Sequence, residues 1–353
     1  MKKSLVLFPV LLLAQTAQPN APADECFSFG ASFLYWTLSE KGNEIAFAKD
    51  YQVQGALEAG ANTGAMGIQG DMIELQAVWQ PGYRLQMDYL FSSTPFLVFG
   101  DYTHYRTEYE KTTSPPTDIT GGQAPFGQLM PSSVLNLTTT FQNSNLVLAR
   151  MKNRINFSYD QARLHFGGHF TPTERVKLQF SFGPEAVWAS KRQKVTFTGL
   201  NPLALDITEY RWDFRGPGLG SAAHSLLDLG YGIGIDFGVG LSAYYGSSSL
   251  FTKATIPTLV AGVSDINQAQ AGNTGIFRFL QMTQVFSDVT WDYNWCDYRF
   301  SLAAGYEFDG IFNINQQYRA TFSGNSSQGA RNVWYRYNPL YLHGLRLAGS
   351  FGF

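Results

Sequence analysis

The stretch Tyr341-Leu342-His343-Gly344-Leu345-Arg346-Leu347-Ala348-Gly349-Ser350-Phe351-Gly352-Phe353 decides the fold. Its odd positions carry Tyr341, His343, Leu345, Leu347, Gly349, Phe351 and Phe353; its even positions carry Leu342, Gly344, Arg346, Ala348, Ser350 and Gly352. A β-strand points successive side chains to opposite faces, so this pattern is a strand with one mainly apolar face. It closes on an aromatic carboxyl terminus, as the last strand of a bacterial outer-membrane barrel does. Leu345, Leu347, Phe351 and Phe353 are therefore expected to form the signal that barrel assembly machinery reads, although Gly349 interrupts the apolar series.

The other end of the chain fits export. Met1-Lys2-Lys3 is a positive n-region, followed by an apolar run from Leu5 to Ala14. That run is too short to cross a bilayer as a helix and suits a secretory signal. Residues 1–23 are predicted to be the signal peptide, with Ala21-Pro22-Ala23 as one cleavage site and positions after Ala14 or Ala17 as others. Residues 24–353 are then the mature domain. The Ala23-Asp24-Glu25 context before Cys26 does not suit a lipidated cysteine.

No later segment reaches the roughly 20 apolar residues of a transmembrane helix. A membrane form must therefore be a closed barrel, because hydrocarbon offers no partner for unpaired backbone N–H and C=O groups. Composition agrees: 28 Phe, 19 Tyr, 7 Trp and 35 Gly accompany only 15% charged residues, against about a quarter in ordinary soluble proteins. Mean hydropathy is nevertheless -0.14. Alternation of lipid-facing and lumen-facing residues reconciles the two. The net charge of -2 argues against nucleic acid as a partner. Two cysteines, Cys26 and Cys296, are too few for a disulfide framework, and one bond, bonds to other chains, or two free thiols all remain open.

Period-two segments recur along the chain. Phe27 to Tyr35 alternates with Ser28, Gly30 and Ser32. Ile73 to Tyr89 holds one phase through Pro81-Gly82, which favours one long strand and leaves a turn or bulge at the proline as the alternative. Val176 to Trp188 follows a short turn at Thr171-Pro172-Thr173-Glu174, and a phase switch at Cys296-Asp297 marks a hairpin between Trp295 and Tyr298. Further strands are expected at Phe96 to Tyr109, Asn145 to Phe170, Tyr210 to Leu229, Ile233 to Tyr245 and Ile276 to Val289. Long external loops are expected near 39–70, 111–143, 247–274 and 316–338. The fold class is thus all-β, a transmembrane antiparallel up-and-down β-barrel with an even strand number, ten to twelve.

Tyr35-Trp36, Trp188, Tyr210 to Trp212, Tyr244-Tyr245, Trp291 to Trp295 and Trp334 to Tyr337 lie towards strand ends, where interfacial girdles are expected. The polar parity of each strand is expected to line the lumen. Arg84, Asp88, Lys177, Glu185, Arg299, Glu307 and Arg346 belong to it. Such charges set ion preference through their local field, or serve only as hydrated wall. The Ser/Thr/Pro-rich segment from Thr112 to Thr140 has two readings, an inward constriction and an exposed loop.

The stretch from Phe29 to Glu44, with Phe33-Leu34-Tyr35-Trp36, followed by Trp79-Gln80-Pro81-Gly82-Tyr83-Arg84, Trp291-Asp292-Tyr293-Asn294-Trp295-Cys296-Asp297-Tyr298-Arg299 and Phe351-Gly352-Phe353, resembles the Legionella-type major outer membrane proteins. The version it looks closest to is the pore-forming, MOMP-like one of environmental relatives of chlamydiae. The resemblance covers nearly the whole mature chain. It implies an outer-membrane barrel with general pore activity, no cofactor and no catalytic motif. With two cysteines, this chain departs from the cysteine-rich chlamydial envelope porins.

Other chemistry is weakly signalled. Gly218-Leu219-Gly220-Ser221-Ala222-Ala223 fits a dinucleotide fingerprint but lacks the strand, helix and acidic partner that give it meaning. The glycines at 230, 232, 234, 238 and 240 are expected to thin or curve one barrel wall. His104, His165, His169, His224 and His343 show no metal spacing. No G-x-S-x-G signature appears. The function expected is a porin-like channel for passive diffusion of small hydrophilic solutes and ions, with outer-membrane lipid and the assembly machinery as partners and a homo-oligomer compatible with the sequence. The alternatives are a surface adhesin or structural envelope protein on a barrel scaffold, and an outer-membrane barrel enzyme.

Overall fold

The computed structural model describes residues 26–40, 46–48, 71–73, 78–91, 94–113, 130–131, 148–199, 205–260, 263–295, 298–323 and 330–353. The signal segment, Cys296 and most of the 39–70 and 111–143 connections lie outside these residues.

The described residues form thirteen strands in chain order: β1 (Cys26–Glu40), β2 (Ala46–Ala48), β3 (Asp71–Ile73), β4 (Trp79–Leu90), β5 (Phe96–Thr113), β6 (Met130–Pro131), β7 (Leu148–Thr173), β8 (Val176–Gly199), β9 (Leu205–Gly230), β10 (Ile233–Val260), β11 (Val263–Trp295), β12 (Tyr298–Ser323) and β13 (Ala330–Gly352). Ten of them close a barrel in the order β1-β13-β12-β11-β10-β9-β8-β7-β5-β4. Every neighbour is antiparallel. The closing seam is the pairing of β1 with β13, from Ser28↔Gly352 to Glu40↔Leu340, tied below by reciprocal backbone bonds of 2.9 Å between Phe27 and Phe353. The three remaining short strands form a separate sheet, β3-β2-β6, which joins the β1–β4 connection to the β5–β7 connection.

Alternation builds the wall. In β1, Ser32, Leu34 and Trp36 are buried inside while Phe33 and Tyr35 are exposed outside. In β8, Ser181, Glu185, Val187 and Ala189 point in while Phe180, Phe182 and Trp188 point out. The outer face carries Leu345, Leu347, Leu241, Phe279 and Leu302, each more than half exposed. In water so continuous an apolar surface would aggregate; in a bilayer it is the lipid-facing belt.

Pro81 and Gly82 lie inside β4, without a turn. The β4–β5 ladder begins only at Gly82↔Tyr105, so the missing N–H of Pro81 removes no bond from it. The strand does not extend back to Ile73, which belongs to β3 in the smaller sheet. One end of the barrel has tight connections: Thr173↔Val176, Gly230↔Ile233 and Trp295↔Tyr298. The turn at Tyr231-Gly232 has positive φ at both central residues, 58° and 77°, as a two-residue primed hairpin requires. Gly230 and Gly232 thus make a turn, whereas the sequence reading had assigned them to the wall.

The connection expected as a loop at 247–274 is instead a paired ribbon, with β10 and β11 in register to Val260↔Val263. The 316–338 segment behaves alike, with β12 and β13 paired to Ser323↔Ala330. Backbone pairing needs no apolar face once the ribbon is in water, so polar sequence there does not end the strand. Twenty-eight residues of β10 rise about 70 Å at the usual pitch and tilt, far above an apolar belt about 25 Å tall.

Candidate functional site in the barrel lumen

The lumen is built in layers. Towards the tight-turn end many inward positions are small, among them Ser28 and Gly30 of β1, Ala222 of β9, Gly234, Gly238 and Gly240 of β10, and Ser301, Ala303 and Gly305 of β12, with Gln86, His224 and Asp236 set between them. Above them lies a belt of charge, and above the belt an apolar collar.

The belt crosses the barrel. Arg84 on β4 donates from Nη2 to Glu307 Oε1 on β12 at 2.8 Å and from Nε to Thr103 on β5 at 2.8 Å. Arg163 on β7 grips Asp101 on β5 through Nε, at 3.0 and 2.9 Å, and through Nη2 at 2.7 Å. Its Nη1 donates across the lumen to Gln284 of β11 at 2.6 Å. Gln284 in turn donates to Glu307, so one chain of bonds runs Asp101–Arg163–Gln284–Glu307–Arg84. A second group joins Glu185 of β8 to His165 of β7 at 2.8 Å and to the Tyr244 hydroxyl of β10, with Gln161 donating to Tyr244 at 2.8 Å. Gly220 makes room for it, since a Cβ there would run into Glu185 Oε1. Arg346 of β13 lies 3.2 Å from Asp288 of β11 and over the Phe286 ring at 4.7 Å.

The contacts Arg84–Glu307, Arg163–Gln284, Glu185–Tyr244 and Arg346–Asp288 join strands that are not neighbours, so at this level side chains reach across the lumen. Buried ion pairs hold only where geometry and further hydrogen bonds offset desolvation. Here the compensation is incomplete. Both oxygens of Asp309, both of Asp288, Glu307 Oε2 and Arg346 Nε accept or donate no hydrogen bond among the described residues. All four side chains come from β11, β12 and β13.

The collar is aromatic. Trp36, Tyr105, Phe157 and Trp212 follow one another around the inside with ring centroids 5.7, 6.3 and 6.1 Å apart. Phe214, Leu280, Ile311 and Leu340 complete the layer, every member at most 4% exposed.

Of the seven charged residues predicted from sequence, Arg84, Glu185, Glu307 and Arg346 sit in the belt. Asp88 lies lower and accepts a hydrogen bond from Ser28 at 3.1 Å. Lys177 and Arg299 share the inward parity but are exposed beside the tight turns, Arg299 paired with Asp292 at 2.8 Å. The sequence reading misses Asp101, Arg163, Gln161 and Gln284, although Met282, Gln284, Phe286 and Asp288 share one parity; His165, which shares a parity with His169 and reads as a polar lumen residue, is buried in the belt. It also assigned Trp36, Trp212 and Tyr244 to interfacial girdles; all three point inward and are buried. Adjacent residues on a strand face opposite sides, so Tyr35 and Trp36 cannot both face lipid. Tyr35 stacks outside on Trp79, Tyr245 on Phe277 and Trp291 on Tyr293. Trp334 to Tyr337 and Trp295 carry no described side-chain placement.

His165 Nδ1 also lies 3.2 Å from Ser181 Oγ, so Ser181, His165 and Glu185 stand in a hydrolase-like order. The ring nitrogens are reversed relative to the usual triad. Ser181 sits in mid-strand, paired with Gly167 on one side and Ala222 on the other, so its own backbone is committed to the sheet and not to an oxyanion hole. The 218–223 glycine motif is likewise mid-strand, in β9. Among the described residues no group of three or more His, Cys, Asp or Glu side chains is arranged to hold a metal, and no helix is long and apolar enough to cross a membrane.

A family model described as Legionella pneumophila major outer membrane protein precursor matches residues 20–347. The chain belongs to this family. With a closed barrel and an apolar outer belt, membership places the protein in the bacterial outer membrane. No curated protein matches the chain. Among solved structures it is similar to the outer membrane protease OmpT from Escherichia coli, with 8% identity, a TM-score of 0.37, and coverage of 96% of this chain and 98% of that one. It is also similar to the Pseudomonas putida toluene transporter TodX, at 7% identity and TM-score 0.28 over 94% and 90% of the two chains. A Pseudomonas aeruginosa FadL homologue matches at 9% identity and TM-score 0.25 over 93% and 90%.

Proposed function

We propose that this outer-membrane barrel is a narrow channel for ions and small hydrophilic solutes, shut at rest by its charged belt and aromatic collar. The observation that carries the reading is the set of carboxylate oxygens on Asp309, Asp288 and Glu307 that accept no hydrogen bond among the described residues, both oxygens of Asp309, both of Asp288, which has only its ion pair with Arg346, and Oε2 of Glu307, buried among β11, β12 and β13. Each buried polar group left dry costs about 1–3 kcal/mol, more when charged. A hydrated file along this wall meets that demand, and ionisable groups inside a membrane span mark ion pathways. The apolar collar above acts as a dewetting gate, opened by rotation of its side chains. The reversed ring nitrogens of His165 and the sheet pairing of the Ser181 backbone favour a non-catalytic role.

Proteoliposomes of the full chain test the proposal. Small ions are expected to leak faster than from empty vesicles, and disaccharides to be retained. Folded protein that leaves vesicles as tight as empty ones contradicts it. A second reading, a surface-binding or structural role, is favoured by the length of the β10–β11 ribbon above the membrane. Replacing residues 253–270 with a short turn would then abolish surface binding while leaving ion flux unchanged.

A further inference from the structure

The outer wall above the apolar belt changes character abruptly on β8 and β9. Trp188 is the last outward aromatic of β8; Ser190, Arg192 and Lys194 follow on the same parity. Opposite Trp188 on β9 stands Arg215, and opposite Arg192 stands Arg211. All three arginines are exposed. The tight turns and the Phe27–Phe353 seam are at the far end, so this rim faces the outer leaflet.

Arg192 and Arg211 are a directly opposed like-charge pair, an arrangement that weakens a sheet unless something lies between the two side chains. Nothing in the described protein does so. The carboxylates nearest Arg211 in sequence are engaged elsewhere, Asp213 by the Ser249 hydroxyl of β10 and Glu209 by Lys194, and no ion pair joins Arg192, Arg211 or Arg215 to a described residue. Neighbouring cations differ: Arg154 pairs with Glu108, Lys152 with Glu110 and Lys194 with Glu209. Four residues of strand separate Arg211 from Arg215, about 10 Å of height at the usual pitch and tilt, the thickness of a headgroup layer.

We infer that Arg192 and Arg211, with Arg215 below them, form an outward-facing anion site for the phosphate groups of an outer-leaflet glycolipid. Guanidinium forks suit phosphate bidentately. The glycolipid's acyl chains would lie against the apolar wall below Trp188, and its phosphate would neutralise the opposed pair.

The test uses the full chain, purified in detergent and exposed to diphosphorylated lipid A, to its dephosphorylated form, or to diphosphorylated lipid A with a large excess of inorganic phosphate, with retained lipid read by native mass spectrometry. Wild-type protein should retain the diphosphorylated lipid about tenfold better than the dephosphorylated one, the equivalent of one charge-assisted contact. Arg192→Gln/Arg211→Gln should lose that preference, and Lys152→Gln, which removes a cation already paired, should keep it. The single variants Arg192→Gln and Arg211→Gln relieve the repulsion and serve if the double variant does not fold. Equal retention of both lipids by wild type, an undiminished preference in the variants, or complete displacement by inorganic phosphate would overturn the inference.

Discussion

Arg84 and Glu307 are 3% and 0% exposed, so removing one partner strands a charge inside the barrel. Arg84→Ala should therefore lower stability by about 3–5 kcal/mol. Arg84→Met/Glu307→Leu should recover most of the loss, because a pair of apolar side chains needs no solvation. Urea unfolding of the detergent-folded protein, followed by tryptophan fluorescence, separates the two; a double variant as unstable as the single would show that the pair itself is required. The turn residue Tyr231 is the opposite case. Its φ of 58° is strained for an aromatic residue and its side chain is fully exposed. Tyr231→Asn should raise stability by about 1 kcal/mol in the same assay, and an unchanged midpoint would contradict the left-handed turn.

At the scale of the strand, parity makes a sharper prediction. Leu347 faces outward on β13 and Ala348 faces the lumen. Leu347→Arg should cost about 2–4 kcal/mol near the membrane midplane, and Ala348→Arg distinctly less. Equal costs, measured by reversible unfolding into urea from phospholipid vesicles, would mean that the two faces are misassigned. The same parity explains what was readable in the sequence. Hydrocarbon is uniform along the whole wall, so outward positions must be apolar and the alternation in β1, β4, β8 and β13 is visible, as are the tight turns before Val176 and Tyr298, though not the one at Tyr231-Gly232. The lumen is not uniform. Where the collar makes inward residues apolar too, as at Leu34-Tyr35-Trp36, the contrast between faces vanishes, and Trp36 and Trp212 read as girdle residues. Pairings across the lumen, such as Arg163 with Gln284, join residues 121 positions apart, which no local pattern encodes. In the ribbons above the membrane both faces meet water, so 247–274 lost the alternation that would have marked it as strand.

For the whole molecule, ten strands and a ring of large inward side chains produce a barrel whose centre is filled, with belt and collar stacked along the axis. Wide aqueous lumens belong to barrels of more strands; in the proposed channel, conduction depends on the collar giving way. Trp36 and Trp212 are the largest side chains in it, and truncating both should open the path. The decisive measurement is single-channel conductance in planar bilayers of wild type and of Trp36→Ala/Trp212→Ala, each confirmed as folded by circular dichroism. A filled lumen gated by the collar predicts small, infrequent steps for wild type and larger, long-lived ones for the variant. Large steady wild-type steps, or a variant as quiet as the parent, would contradict it.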